Sequence, residues 1–93
     1  MPVGIMKLEL YIAYCHSLKE KRAVLKKILN RLREKYNLSV AEVDYHNKWQ
    51  RSLLAFACIG SSLKIVDSTL ESALEFVEQN LEGHVINVEK EII

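Results

Sequence analysis

The sequence predicts an α+β fold in which two helices cover one face of a four-stranded antiparallel sheet. Three observations carry that expectation. Apolar and polar residues alternate near the start of the chain. Apolar residues then recur every three or four positions in two long stretches. Only three glycines and one proline interrupt 93 residues, so connections are short. The whole chain, 1–93, reads as a single domain. Its apolar share of 49% against 27% charged suits a folded domain and excludes a disordered tail. A chain this short buries only about 60–65% of its unfolded surface, which leaves self-association open.

The elements follow in order. Over residues 3–14, Met6, Leu8, Leu10 and Ile12 form an apolar set with Lys7, Glu9 and Tyr11 between them, the period of a half-buried strand. Ser17 opens a helix. Ser17 and Glu20 fit a capping box, in which the hydroxyl and the carboxylate each accept an otherwise orphaned N–H. Leu18, Leu25, Ile28, Leu29, Leu32 and Tyr36 make its apolar stripe, and Asn37 suits a left-handed residue at its C-terminus. Residues 39–45 and 51–60 read as two strands joined around His46-Asn47-Lys48. The second is apolar on both sides, as a central strand is. Gly60 and Ser61-Ser62 lead into a second helix, Ser62 to Leu81, whose stripe is Leu63, Val66, Leu70, Leu74, Val77 and Leu81. Gly83 stops it, and Val85 to Ile92 form the last strand, with Ile86 and Val88 inward. The order β-α-β-β-α-β with right-handed crossovers is the ferredoxin-like arrangement.

Charge is unevenly placed. Eight of the thirteen Lys and Arg fall between Lys19 and Lys35 against only Glu20 and Glu34, a net +6. Elsewhere five bases meet ten acids, a net −5, so a total of +1 hides two opposed surfaces. On a helical wheel, Lys19, Arg22, Lys26 and Arg33 share one flank of the first helix, while Lys27, Arg31 and Lys35 take the back and the other flank. Asp67, Glu71, Glu75, Glu78 and Glu82 fall within about 80° on the second helix. Two readings stay open. The basic and acidic flanks face each other, in surface pairs worth about 0–1 kcal/mol each. Alternatively, the basic helix meets an anion, with Lys19, Arg22, Lys26, Lys27, Arg31 and Arg33 on nucleic-acid phosphates. The open sheet face is expected to carry Lys7, Glu9, Tyr11, Glu42, Asp44, Glu89 and Glu91 and is therefore acidic. Its aromatic candidates, Tyr11 and Phe56, do not match a sheet that stacks RNA bases, so RNA is expected on the helix.

The loop from Glu42 to Arg51 is richest in polar chemistry and holds the only Trp. Glu42 and Asp44 are expected on one strand face beside His46, an arrangement able to do acid–base or metal work. The plainer reading makes them edge-strand acids, with Trp49 over a sheet end and Gln50 satisfying backbone groups. Trp49, Gln50 and Arg51 also suit a partner-binding anchor. Cys15 and His16 are adjacent and project differently, and Cys58, His46 and His84 lack zinc spacing, so no metal or cofactor is expected. Gly-x-Ser-x-Gly, P-loop and Gly-x-Gly-x-x-Gly patterns are missing. The expectation is a protein with no catalytic residue, not an enzyme. Two cysteines far apart in apolar runs suit a reduced, cytoplasmic setting. The start has no basic leader followed by an apolar block, and no run approaches the ~20 apolar residues that span a bilayer.

The segments His16-Ser17-Leu18-Lys19-Glu20-Lys21-Arg22, Ser39-Val40-Ala41-Glu42-Val43-Asp44 and Trp49-Gln50-Arg51 resemble the YlxP-like family, a bacterial group classed as a domain of unknown function. The resemblance covers essentially the whole chain. It implies a ferredoxin-like α+β domain with no established activity and no catalytic residues to carry over. The family's members often sit among genes for translation and ribosome maturation, which implies, by association, a ribosome- or RNA-linked role. Asn47 departs from the family pattern, standing where an acid is often found. The first expectation is thus a non-enzymatic protein that meets ribosomal RNA or the ribosome through its basic helix, with Trp49-Gln50-Arg51 as a second contact. The alternative is a homodimer or protein-interaction module using Ile5, Tyr11, Leu54 or Phe56 on the open sheet face. A third is a small-ligand domain built on Glu42, Asp44 and His46.

Overall fold

Alternation in the first strand puts Met6, Leu8 and Leu10 on one side, where all three are fully buried. A computed structural model describes Met1–Ile93. Its elements are β1 (Val3–Tyr11), α1 (Leu18–Lys35), β2 (Ser39–Asp44), β3 (Arg51–Ile59), α2 (Leu63–Asn80) and β4 (His84–Ile92). The sheet order is β2-β3-β1-β4, and every neighbouring pair is antiparallel. This is the ferredoxin-like α+β fold that the periodicities predict. On the β1–β3 ladder Met6 faces Phe56 and Leu8 faces Leu54. Both β3 residues are fully buried beneath the helices. Leu54 and Phe56 therefore leave the open sheet face, where Leu53, Ala55, Ala57 and Ile59 stand instead. The apolar run of β3 hid this phase because both of its sides are apolar.

Two β-bulges shift other side chains from their expected face. Glu42 pairs with Leu54 and Asp44 with Leu53, so two steps on β2 match one on β3. Glu42 thus shares the helix-covered face with Val40, and Asp44 alone takes the open face. Across β1 and β4, Leu8 pairs with Val88 and Leu10 with Val85. Val85 turns inward, and Ile86, the residue expected there, is 53% exposed. Val88 is on the expected side, but at the sheet edge it stays exposed.

The helix ends are capped by side chains. Ser17 Oγ accepts the Glu20 N–H at 3.1 Å. Glu20 Oε2 reaches one residue further back than a capping box requires and accepts the His16 N–H at 3.0 Å. Ser62 Oγ accepts the Ile65 N–H at 3.3 Å. Leu63, expected in the core stripe, is exposed in the first turn of α2. Asn37 is not left-handed. The α1 cap is Tyr36, extended at φ −126°, and the one non-glycine residue with positive φ is Tyr45, at 62°. Gly83 acts through close approach, since a Cβ there would stand 2.6 Å from the Tyr11 carbonyl oxygen.

Candidate nucleic-acid interface

A buried lysine organises the region. Lys21 lies four residues before Leu25 and seven before Ile28, on the buried side of α1, and is fully shielded from solvent. A charge there is costly unless it is fully hydrogen-bonded. Its Nζ donates to the carbonyls of Tyr45 at 2.7 Å, Arg51 at 3.1 Å and His46 at 3.4 Å, and lies 3.0 Å from Glu42 Oε2. The buried Ser52 hydroxyl donates to the same carboxylate oxygen at 2.7 Å. One ammonium thus joins the first turn of α1 to both ends of the β2–β3 loop. Lys21 is one of the eight bases counted between Lys19 and Lys35 but is not among those placed on the flanks of the helix. The signal was its place on the apolar stripe, together with Glu42 two residues after the buried Val40.

The loop is fixed from its other end as well. Gln50 Nε2 donates to the carbonyls of Ala13 at 2.9 Å and Cys15 at 3.3 Å, and Ile12 N–H donates to Gln50 O at 2.8 Å. Gln50 therefore satisfies backbone groups, as the plainer reading expects. Arg51 pairs with Glu9 across the sheet and stacks on Tyr45, its guanidinium carbon 4.6 Å from the ring centroid. The hydrogen bond to Glu9 holds the Arg51 pKa above its ordinary value. Trp49 lies at the sheet end with half its surface exposed. Tyr11, Asn47, Lys48, Trp49, Gln50 and Arg51 line an open cleft of about 390 Å³.

The basic residues of α1 point to solvent. Lys19, Arg22, Lys26, Lys27, Arg31, Arg33 and Lys35 are all exposed. Four ion pairs exist, Lys21–Glu42, Arg51–Glu9, Lys90–Asp67 and Lys90–Glu71, and none joins α1 to α2. The helix–helix charge complement forms no ion pair: Asp67 and Glu71 turn to the β4 side, while Lys27, Arg31 and Lys35 line the same interhelical clefts as Glu75 and Glu82 without pairing to them. Arg33 Nη2 donates to Val40 O of β2 at 3.0 Å, and its Nη1 to Asn30 Oδ1 at 3.3 Å. The basic flank therefore lies beside the β2 edge. Lys90 of β4 reaches Asp67 at 2.7 Å and Glu71 at 3.1 Å, which puts the acidic flank beside the β4 edge. These bonds, Asp67 first, raise the Lys90 pKa. Between the helices the contact is aromatic. Tyr36 and Phe76 meet edge to face at 6.2 Å, and Lys35 sits 5.1 Å from the Phe76 centroid.

The residues proposed for ligand chemistry do not converge. Glu42 points at Lys21, Asp44 Oδ1 accepts the Tyr45 N–H at 2.7 Å, and the His46 ring meets Glu42 O at 3.1 Å. No three His, Cys, Asp or Glu side chains gather as a metal-binding set. Cys15 and Cys58 are free and buried. Burial, then the charge of Glu20, pushes the Cys15 thiol pKa up. Neither helix is long and apolar enough to cross a membrane.

Residues 3–90 match the model of a family described as protein of unknown function, DUF503. The chain is also 40% identical over 76 residues to an uncharacterized protein of Bacillus subtilis (strain 168), YlxP, a match covering 82% of this chain and 83% of that one.

Proposed function

This chain belongs to the DUF503 family of proteins of unknown function, and we propose that it is a non-enzymatic cytoplasmic protein that docks on a ribosomal RNA backbone through the outer flank of α1. One observation supports this above the others. Lys19, Arg22, Lys26, Lys27 and Arg31 are exposed and enter none of the ion pairs of the fold. Asp67 and Glu71 of α2 find their cation in Lys90 instead, and of the five bases only Lys27 and Arg31 share a cleft with α2 acids, Glu82 and Glu75. Arg33, held against Val40 O, lies at the rim of the same face and contributes its charge at fixed geometry. Arg51 lies one loop away, and part of its charge is offset by Glu9.

A labelled ribosomal RNA hairpin, titrated at 50 and 200 mM salt, tests the proposal. Contacts to about four phosphates lower affinity roughly 50- to 150-fold across that interval. Reversing Arg22 and Lys26 to Glu should remove most of the binding and leave the thermal midpoint unchanged. Affinity that ignores both salt and charge reversal overturns the proposal.

A second reading, self-association, is favoured by the uncovered sheet face. Ile5, Ala41, Val43, Ala55 and Ala57 line a shallow apolar depression of about 260 Å³ there. Sedimentation equilibrium decides it, since a strict monomer at high concentration removes the homodimer.

A further inference from the structure

We propose that the cleft beside Trp49 receives an unpaired nucleobase, so that the RNA partner is single-stranded where it crosses this loop. The inference rests on the RNA-backbone reading above and adds a means of discrimination that phosphate contacts lack. The cleft has two aromatic surfaces open to solvent, Trp49 at 53% and Tyr11 at 38% exposure. Lys48 and Arg51 supply positive charge, Asn47 supplies an amide able both to donate and to accept, and no acid lines the cavity. Glu9 approaches from the side and offsets part of the Arg51 charge. An aromatic face beside cations takes any base by stacking, without hydrogen-bond readout.

The cleft is also built rather than floppy. Lys21 holds the carbonyls of Tyr45, His46 and Arg51, and Gln50 is bonded to Ala13 and Cys15. The Trp49 main chain is therefore held between fixed residues on both sides while half of its side-chain surface stays open to solvent. The same Lys21 contacts bring the first turn of α1, with Lys19 and Arg22, against the loop. The cleft opens on the sheet face away from the helices, where Tyr11 and Arg51 pair, so a strand passing from α1 to Trp49 rounds the end of the sheet at this loop. A duplex keeps its bases stacked inside and cannot fill it.

Trp49 is the only tryptophan, so its emission reports the cleft alone. The full chain at low salt is titrated with an oligoadenylate single strand and with an RNA duplex of equal length. The single strand should quench Trp49 and the duplex should not. Trp49→Ala, read by a label on the RNA, should weaken single-strand binding about 5- to 150-fold and leave duplex binding unchanged. Trp49→Phe should restore most of the loss. Because Trp49 is exposed, both variants should melt like the parent. Equal binding of both RNAs with Trp49 emission unmoved, or an unchanged affinity in Trp49→Ala, overturns the cleft and leaves the backbone proposal standing. Failure of both RNAs to bind overturns the two together.

Discussion

Replacing Lys21 by Met separates a structural charge from a ligand-binding one. The substitution keeps length and apolar volume but removes the ammonium. Glu42 then keeps only Ser52 within the fold, and the carbonyls of Tyr45, His46 and Arg51 lose their donor. Breaking a buried pair from one side costs about 3–5 kcal/mol. A domain of this size has about 5–14 kcal/mol in total, so the loss is about a fifth or more of its stability. At 4–8 °C per kcal/mol for a small domain, the thermal midpoint should fall by about 12–40 °C. Urea denaturation followed by far-ultraviolet circular dichroism measures the loss, and Trp49 emission reports the loop separately. Adding Glu42→Gln removes the stranded charge and should return at least about 1 kcal/mol. A single variant that loses less than about 1 kcal/mol would falsify the account. So would a double variant whose costs simply add.

Three further outcomes follow from individual contacts. Gly4→Ala would place a Cβ 2.5 Å from Val66 Cγ1 and 2.6 Å from Leu70 Cδ1; overpacking of this kind costs about 1–3 kcal/mol, measured as a lower urea midpoint. Ser17→Ala removes the cap on the Glu20 N–H and should cost about 1 kcal/mol, while Ser17→Asp should be close to neutral. Stability should also fall in alkali. The folded-state pKa values of Cys15, Tyr14, Lys90 and Arg51 all lie above their ordinary values, which for the first three are 9.0, 10.0 and 10.5. The folded chain keeps these protons longer than the unfolded one, so their contribution is complete below about pH 9 and lost as pH rises through the folded values. A urea midpoint that rises between pH 9 and pH 11 contradicts this.

The fold was legible because alternation in β1 and the stripes and N-terminal caps of both helices agree. Met6, Leu8 and Leu10 alternate, Leu25, Ile28 and Leu32 recur helically, and Ser17 and Ser62 stand where each helix begins. What was not legible depends on single extra residues. A bulge between Glu42 and Asp44 splits a pair that a period of two puts together, and one between Glu9 and Leu10 exchanges Ile86 for Val85. Strand sequences carry no marker for such an insertion unless a glycine supplies it. The phase of β3 was hidden for a different reason: with both sides apolar, only pairing with Met6 and Leu8 tells Leu54 and Phe56 from Leu53 and Ala55. The exposed bases of α1 and the Trp49-Gln50-Arg51 loop were visible in the sequence. The buried ammonium that ties them together was not, since a charge count cannot show which lysine has left the surface.

The edge-to-edge separation of charge makes the molecule one-sided. Bases beside β2 and acids beside β4 stand three strand spacings apart, about 14 Å, and so give the domain a permanent dipole across its sheet. Near a polyanion such a dipole feels a torque before it feels contact, once the separation falls within a Debye length of about 8–10 Å. On the proposed docking, the domain arrives already turned, with α1 leading, and the gain in association rate fades as salt rises. In that proposed docking, Glu89 and Glu91, on the open face of β4, lie away from α1 and repel a second strand of phosphate. The proposed docking therefore has the domain decorate one nucleic-acid surface and not bridge two.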